Sequence, residues 1–118
     1  MNTKAITKAI EGHMKRNLAL RAKFEQLGLN FNEPRPIEFQ FWARSQYDAG
    51  GLAQGLYKMG FFVKLLAPSP AKDDPERWSV ETGAKIPLTQ ALSQEFAEKL
   101  VRLAAQEDSV FDGWGTSV

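Results

Sequence analysis

The chain has no cysteine and a single histidine, and no run among its 118 residues approaches the length of a membrane span. Each absence removes a class of chemistry. Without cysteine there is no disulfide framework, no thiolate nucleophile and no Cys-based zinc or iron–sulfur site. One histidine cannot build a multi-histidine metal site. His13 sits on the apolar side of a helical segment beside Met14, where a packed imidazole is the expectation. A spanning helix needs about 20 consecutive apolar residues, and the lysine-bearing stretch Met1 to Ile10 lacks the apolar centre of a secretion signal. A cytoplasmic chain without membrane contact is expected. Strong charge of one sign is missing too: 15 Lys+Arg against 14 Asp+Glu leave +1, which argues against a polyanion binder as a whole-molecule property.

Catalytic constellations are also lacking. The carboxylate pairs Asp73-Asp74 and Glu107-Asp108 fall in a Pro-rich stretch and at a helix end, where solvation accounts for them. No serine has a G-x-S-x-G context. Gly50-Gly51 lacks phosphate-loop spacing and follows Asp48, whose charge repels phosphate. Gly51 and Gly55 match G-x-x-x-G, a spacing that outside a long apolar segment means close packing in a soluble core. No enzyme activity, cofactor or metal is expected.

What is present is an ordinary globular composition, 43% hydrophobic and 25% charged, in a chain of single-domain length. Its charge is unevenly spread. Residues 1–35 carry seven basic and three acidic side chains, a net +4, while the rest carries eight basic and eleven acidic, a net −3. The first segment therefore faces a different neighbour from the remainder.

Thr3 to Leu27 has no proline and only Gly12 as a glycine. Ile6, Ile10, Leu20, Phe24 and Leu27 share one face at about 100° per residue, opposite Lys4, Lys8 and Lys15. This predicts an amphipathic helix ended by Gly28, followed by a linker over Asn30–Pro36. Pro36 to Ala43 alternates, with Ile37, Phe39, Phe41 and Ala43 on one face and Glu38, Gln40 and Trp42 on the other. Asp48 is the candidate N-cap of a helix carrying Ala49, Leu52, Ala53 and Leu56, stopped at Gly60. Gly50, Gly51 and Gly55 each cost that helix about 1 kcal/mol, which implies a backbone packed closely against a sheet.

Phe61–Leu66 reads as a second strand, and the proline-bearing stretch Ala67–Glu76 as a long exposed connection. Arg77–Ile86 reads as a third strand with Trp78 on its helix-facing side. Thr89 is the candidate cap of a last helix with the stripe Leu92, Phe96, Leu100, Leu103 and Ala104. A short strand, Ser109–Phe111, then precedes a turn-rich Asp112-Gly113-Trp114-Gly115.

This order gives an α+β class: a ferredoxin-like βαββαβ sandwich with an extra N-terminal amphipathic helix. Residues 1–28 form the helix and 35–118 the ferredoxin-like domain, one compact unit overall. The sheet's open face is expected to show Glu38, Gln40, Trp42, Phe62 and Leu66, with Lys64 at its margin. An apolar patch of that kind is covered or used, and part of the first helix is expected to lie over it and over Trp42. RNA-recognition domains stack bases on such a face. That makes Trp42 with Lys4, Lys8, Lys15 and Arg16 the RNA-contacting set of one reading, against the negative charge of Glu38 and Glu81. Trp114, held between two glycines, is either a plug at the end of the core or an interaction anchor.

Three segments occur together: Arg35-Pro36-Ile37-Glu38-Phe39-Gln40-Phe41, Gly60-Phe61-Phe62-Val63 after an Ala/Leu helix, and Phe111-Asp112-Gly113-Trp114-Gly115-Thr116. In this combination the chain resembles the regulator of ribonuclease activity B family, the ribonuclease E inhibitor proteins, from about Phe24 to Thr116. The resemblance implies a small cytoplasmic bacterial protein with a ferredoxin-like fold and no catalytic residues. It would bind ribonuclease E or another RNA-degradation protein, outside the catalytic core, and so alter transcript cleavage. Asp112, Gly113, Trp114 and Gly115 are then family signature residues. With Trp42 and the Ala67–Glu76 loop they are the expected protein-interaction features, and a dimer is one possible assembly.

Overall fold

The computed structural model describes residues 2–69 and 77–118. Helix α1 spans Thr3–Gln26. It begins where the Asn2 side chain accepts a hydrogen bond from the Ala5 amide, an N-cap contact, and closes ahead of Gly28 in the left-handed conformation. Strand β1 (Arg35–Ala43) follows, then α2 (Gln46–Lys58), β2 (Phe62–Pro68), β3 (Trp78–Ile86), a one-turn α3 (Leu88–Ala91), α4 (Gln94–Gln106) and β4 (Ser109–Gly115). The four strands form one sheet in the order β2-β3-β1-β4, every neighbouring pair antiparallel. β3 thus lies between β1 and β2 and splits the first βαβ unit, and the α+β class holds.

The alternation in β1 places its burial. Ile37, Phe39, Phe41 and Ala43 are each 3% exposed or less and meet Ala49, Leu52 and Leu56 of α2 and Phe96, Leu100 and Val101 of α4. Burying one side chain of this size stabilises the fold by about 1.5–3 kcal/mol, so this stripe, facing two helices, anchors the sandwich. Phe39 alone lies against Phe61, Phe96 and Phe111, with ring centroids 5.0, 5.7 and 6.5 Å away.

Several sequence expectations change in the structure. α2 is capped by Ser45, not Asp48: the Ser45 hydroxyl accepts from the Asp48 amide and donates to the Asp48 carboxylate. The last helix is two helices. α3 starts after Pro87 without a side-chain cap, and Ser93 caps α4 by accepting from the Phe96 amide, so Thr89 caps nothing. Of the α2 glycines, Gly51 and Gly55 make room for α4 and its end rather than for the sheet, and Gly50 faces open space. A Cβ on Gly55 would stand 2.9 Å from Leu103, and one on Gly51 would run into Glu107.

Two bulges also escape a strict period of two. Between Val63 and Leu65 the register with β3 skips one residue, Lys64. Phe62 and Leu65 therefore share the open face, and Leu66 turns to the other side. Of the expected connection after β2, Ala67 and Pro68 belong to the strand, and residues 70–76 lie outside the described residues. Ser93→Ala should lower stability by about 1 kcal/mol in urea unfolding, whereas Thr89→Ala, at an exposed position without a capping bond, should leave the midpoint unchanged.

Candidate functional site

The C-terminal Asp-Gly-Trp-Gly segment is strand, not turn, and its sequence encodes a bulge. Phe111 pairs with Phe41 and Gly113 with Gln40, which leaves Asp112 unpaired. In an unbroken strand Phe111 and Trp114, three residues apart, point to opposite faces. The extra residue restores both aromatics to the helix side, where Phe111 and Trp114 are each 5% exposed. Gly113 carries the strain of this arrangement at φ 151°, backbone that a side chain rarely adopts. A Cβ there would also collide with the Arg16 guanidinium.

What holds the segment is α1. The helix does not lie on the open face as expected; it packs on α4 and along β4, the edge strand. Three polar side chains on one helix face reach the strand. His13 donates from Nε2 to the Phe111 carbonyl at 3.0 Å and stacks on the Phe111 ring, centroids 4.4 Å apart. Arg16 donates to the Trp114 carbonyl at 3.1 Å. Buried Asn17 accepts from the Trp114 indole N–H at 3.0 Å and donates to the Leu92 carbonyl at 3.4 Å. Phe24, one heptad beyond Asn17, packs 6.1 Å from the Trp114 ring.

Backbone acceptors on an unpaired edge invite another strand. Here His13 and Arg16 occupy two of them. Arg16, one of the residues in the RNA-contacting reading, is thus tied to the β4 backbone, although it is exposed, as are Lys4, Lys8 and Lys15 on α1. Trp114 is a buried plug rather than an exposed anchor. The sequence signal for this clasp is Asn17 itself: Ile10, Asn17 and Phe24 are the buried residues of α1, so an amide sits on a hydrophobic heptad position, where it needs a polar partner.

Since α1 is elsewhere, no helix among the described residues covers the open face. Across the sheet, Glu38 is flanked in register by Gly83 and Gly115. Those glycines leave a groove of about 620 Å³ lined also by Phe62, Lys64, Lys85, Thr116 and Ser117. Phe62, 55% exposed, lies over Gly83, where a Cβ would come within 2.6 Å of its ring. Lys64 turns onto this face and pairs with Glu38 at 2.6 Å. Trp42 stands at the other end of the face, half-buried, because the Arg77 guanidinium lies 4.1 Å from its ring centroid and that of Arg44 lies 6.0 Å away. Among the described residues no group of three or more His, Cys, Asp or Glu is placed to hold a metal ion, and no helix is long and apolar enough to cross a membrane.

Burial lowers the pKa of His13 below the ordinary imidazole value of about 6.5. Its bond to the Phe111 carbonyl and the charge of Asp112 pull upward, and Arg16 pushes further down. The native state thus prefers neutral His13, and its contribution to stability is complete above about pH 6.5 and lost as pH falls toward the native pKa. The urea midpoint should drop over that window, and His13→Gln should remove this part of the pH dependence. Asn17→Ala should cost about 1–3 kcal/mol, because it strands the buried indole N–H. Combined with Trp114→Phe, it should cost less than the sum of the two single changes.

A search of curated proteins found no match. The model of one family, described as Regulator of ribonuclease activity B, matches residues 17–116, from the asparagine that holds the Trp114 indole to the threonine that follows β4. The match covers most of the 118 residues and all four strands, so the chain belongs to the regulator of ribonuclease activity B family.

Proposed function

We propose that this protein is a non-catalytic, cytoplasmic inhibitor of ribonuclease E that binds the enzyme outside its catalytic core and lowers RNA cleavage. The observation that carries the reading is the family match over residues 17–116, a family of ribonuclease regulators. The architecture supports a binding role. One sheet edge is closed by α1, one sheet face is packed by α2 and α4, and the second face remains with Trp42, Phe62 and Leu65 on it.

The contact surface is this open face. Trp42 is its anchor, since large aromatics with a polar surround carry much of the energy of protein interfaces. Gly115 serves the surface by leaving the groove beside Glu38 clear. Asp112, Gly113 and Trp114 serve it indirectly, by fixing β4 against α1 so that the sheet keeps its shape.

The direct measurement is cleavage of a defined RNA by purified ribonuclease E with and without this chain. Full-length enzyme should slow as the chain is added, and its isolated catalytic core should not. Equal rates for the full-length enzyme at saturating chain would overturn the proposal. Trp42→Ala should weaken binding by about 2 kcal/mol, roughly thirtyfold, measured at a temperature where the variant's own unfolding curve shows it folded.

A further inference from the structure

We infer that the Trp42 end of the open face docks an acidic segment of a partner protein, with Arg44 and Arg77 as the anchoring cations. The inference rests on the ribonuclease-binding reading and specifies the chemistry of the partner segment. Trp42 is flanked in register by Ser79 on β3 and Val110 on β4, and Ala67 of β2 lies beyond Ser79. None of these neighbours is charged. Two guanidiniums nonetheless gather on the one indole, at 4.1 and 6.0 Å. The ring's negative face attracts each of them, but it does not neutralise them, and like charges held together raise the local potential.

The described residues make two salt bridges, Lys64–Glu38 and Arg102–Glu98, and neither involves Arg44 or Arg77. The Arg77 Nε is buried without a hydrogen-bond partner, so packing on the ring is what positions that guanidinium. A planar guanidinium presents a fork of donors that matches a carboxylate. Two of them side by side on an apolar platform suit an acidic stretch of polypeptide.

RNA fits this end less well. Base stacking needs a free aromatic face, and the Arg77 guanidinium occupies one face of Trp42. A phosphate backbone crossing the sheet would also meet Glu81, which is paired with Gln40, and Glu38 beyond it. An acidic peptide seated at Arg44 and Arg77 need not extend over those carboxylates.

The test uses the full chain, ¹⁵N-labelled, with three probes: poly-L-glutamate, poly-L-lysine and oligo-uridylate. Poly-L-glutamate should shift the Trp42 indole and the Arg44 and Arg77 Nε signals, and added salt should reverse the shift. The double variant R44Q/R77Q should bind poly-L-glutamate and ribonuclease E at least about tenfold more weakly, since charge-assisted bonds to a carboxylate are lost. The control R102Q, whose partner Glu98 lies on α4, should bind both as the parent does. Absence of poly-L-glutamate binding, equal binding by R44Q/R77Q, oligo-uridylate shifting the same signals instead, or a Trp42 shift with chain concentration alone would each overturn the inference. If R44Q/R77Q keeps full affinity for ribonuclease E, the acidic-segment docking fails and the inhibitor reading stands. If the parent chain does not bind ribonuclease E while poly-L-glutamate still selects the two arginines, the inhibitor reading fails and the acid-binding site stands.

Discussion

The hydrogen bond from the Trp114 indole to Asn17, 3.0 Å long and buried, joins the last strand to the first helix across nearly the whole sequence. Neither partner can be inside without the other. An indole N–H or a carboxamide buried alone costs about 1–3 kcal/mol, and here each satisfies its neighbour while Asn17 also reaches the Leu92 carbonyl. The bond depends on the bulge at Asp112, which brings Trp114 and Phe111 to the same side, and the bulge depends on glycine at 113. The Asp112–Gly115 segment is in this sense a fastening for α1.

From that fastening the rest of the surface follows. Because α1 is drawn to the β4 edge, where His13 and Arg16 take up backbone acceptors, it is not available to cover the open sheet face. The basic charge that seemed to set residues 1–35 apart divides accordingly. Arg16 donates to the Trp114 carbonyl, Arg35 donates to Thr116, and Lys4, Lys8 and Lys15 make no such contact among the described residues and remain in solvent. The face left free carries apolar groups at its β2 side and a Trp–Arg cluster at its other end. That combination sets an apolar platform beside two guanidiniums that form no salt bridge among the described residues.

Much of this was legible in the residues, and the limits were physical. The clean alternation of Ile37, Phe39, Phe41 and Ala43 named the buried face of β1 because that strand is central and regular. The helix pattern of Phe96, Leu100 and Ala104 was as clear, although the break at Ser93 was hidden by continuous apolar spacing through Leu92. Both bulges were invisible, since one extra residue inverts every later side chain without changing composition. For that reason strict alternation puts Leu66 on the wrong face, while the two glycines around Trp114 make Asp112-Gly113-Trp114-Gly115 resemble a turn. The destination of α1 is encoded by Asn17, the polar member of its buried stripe, whose amide demands a buried partner that hydrophobic periodicity alone does not reveal. The Asp112–Gly115 residues carry the family resemblance, but their types alone do not say that Trp114 is buried.

The central claim is that the open face, not the α1 side, meets the ribonuclease. Hydroxyl-radical footprinting of the chain alone and in complex with ribonuclease E addresses it directly. The account predicts protection of Trp42, Phe62 and Leu65 in the complex, with the exposed Leu18 and Leu27 of the α1 side oxidised as before. Protection at Leu18 and Leu27 with Trp42, Phe62 and Leu65 unchanged would contradict it.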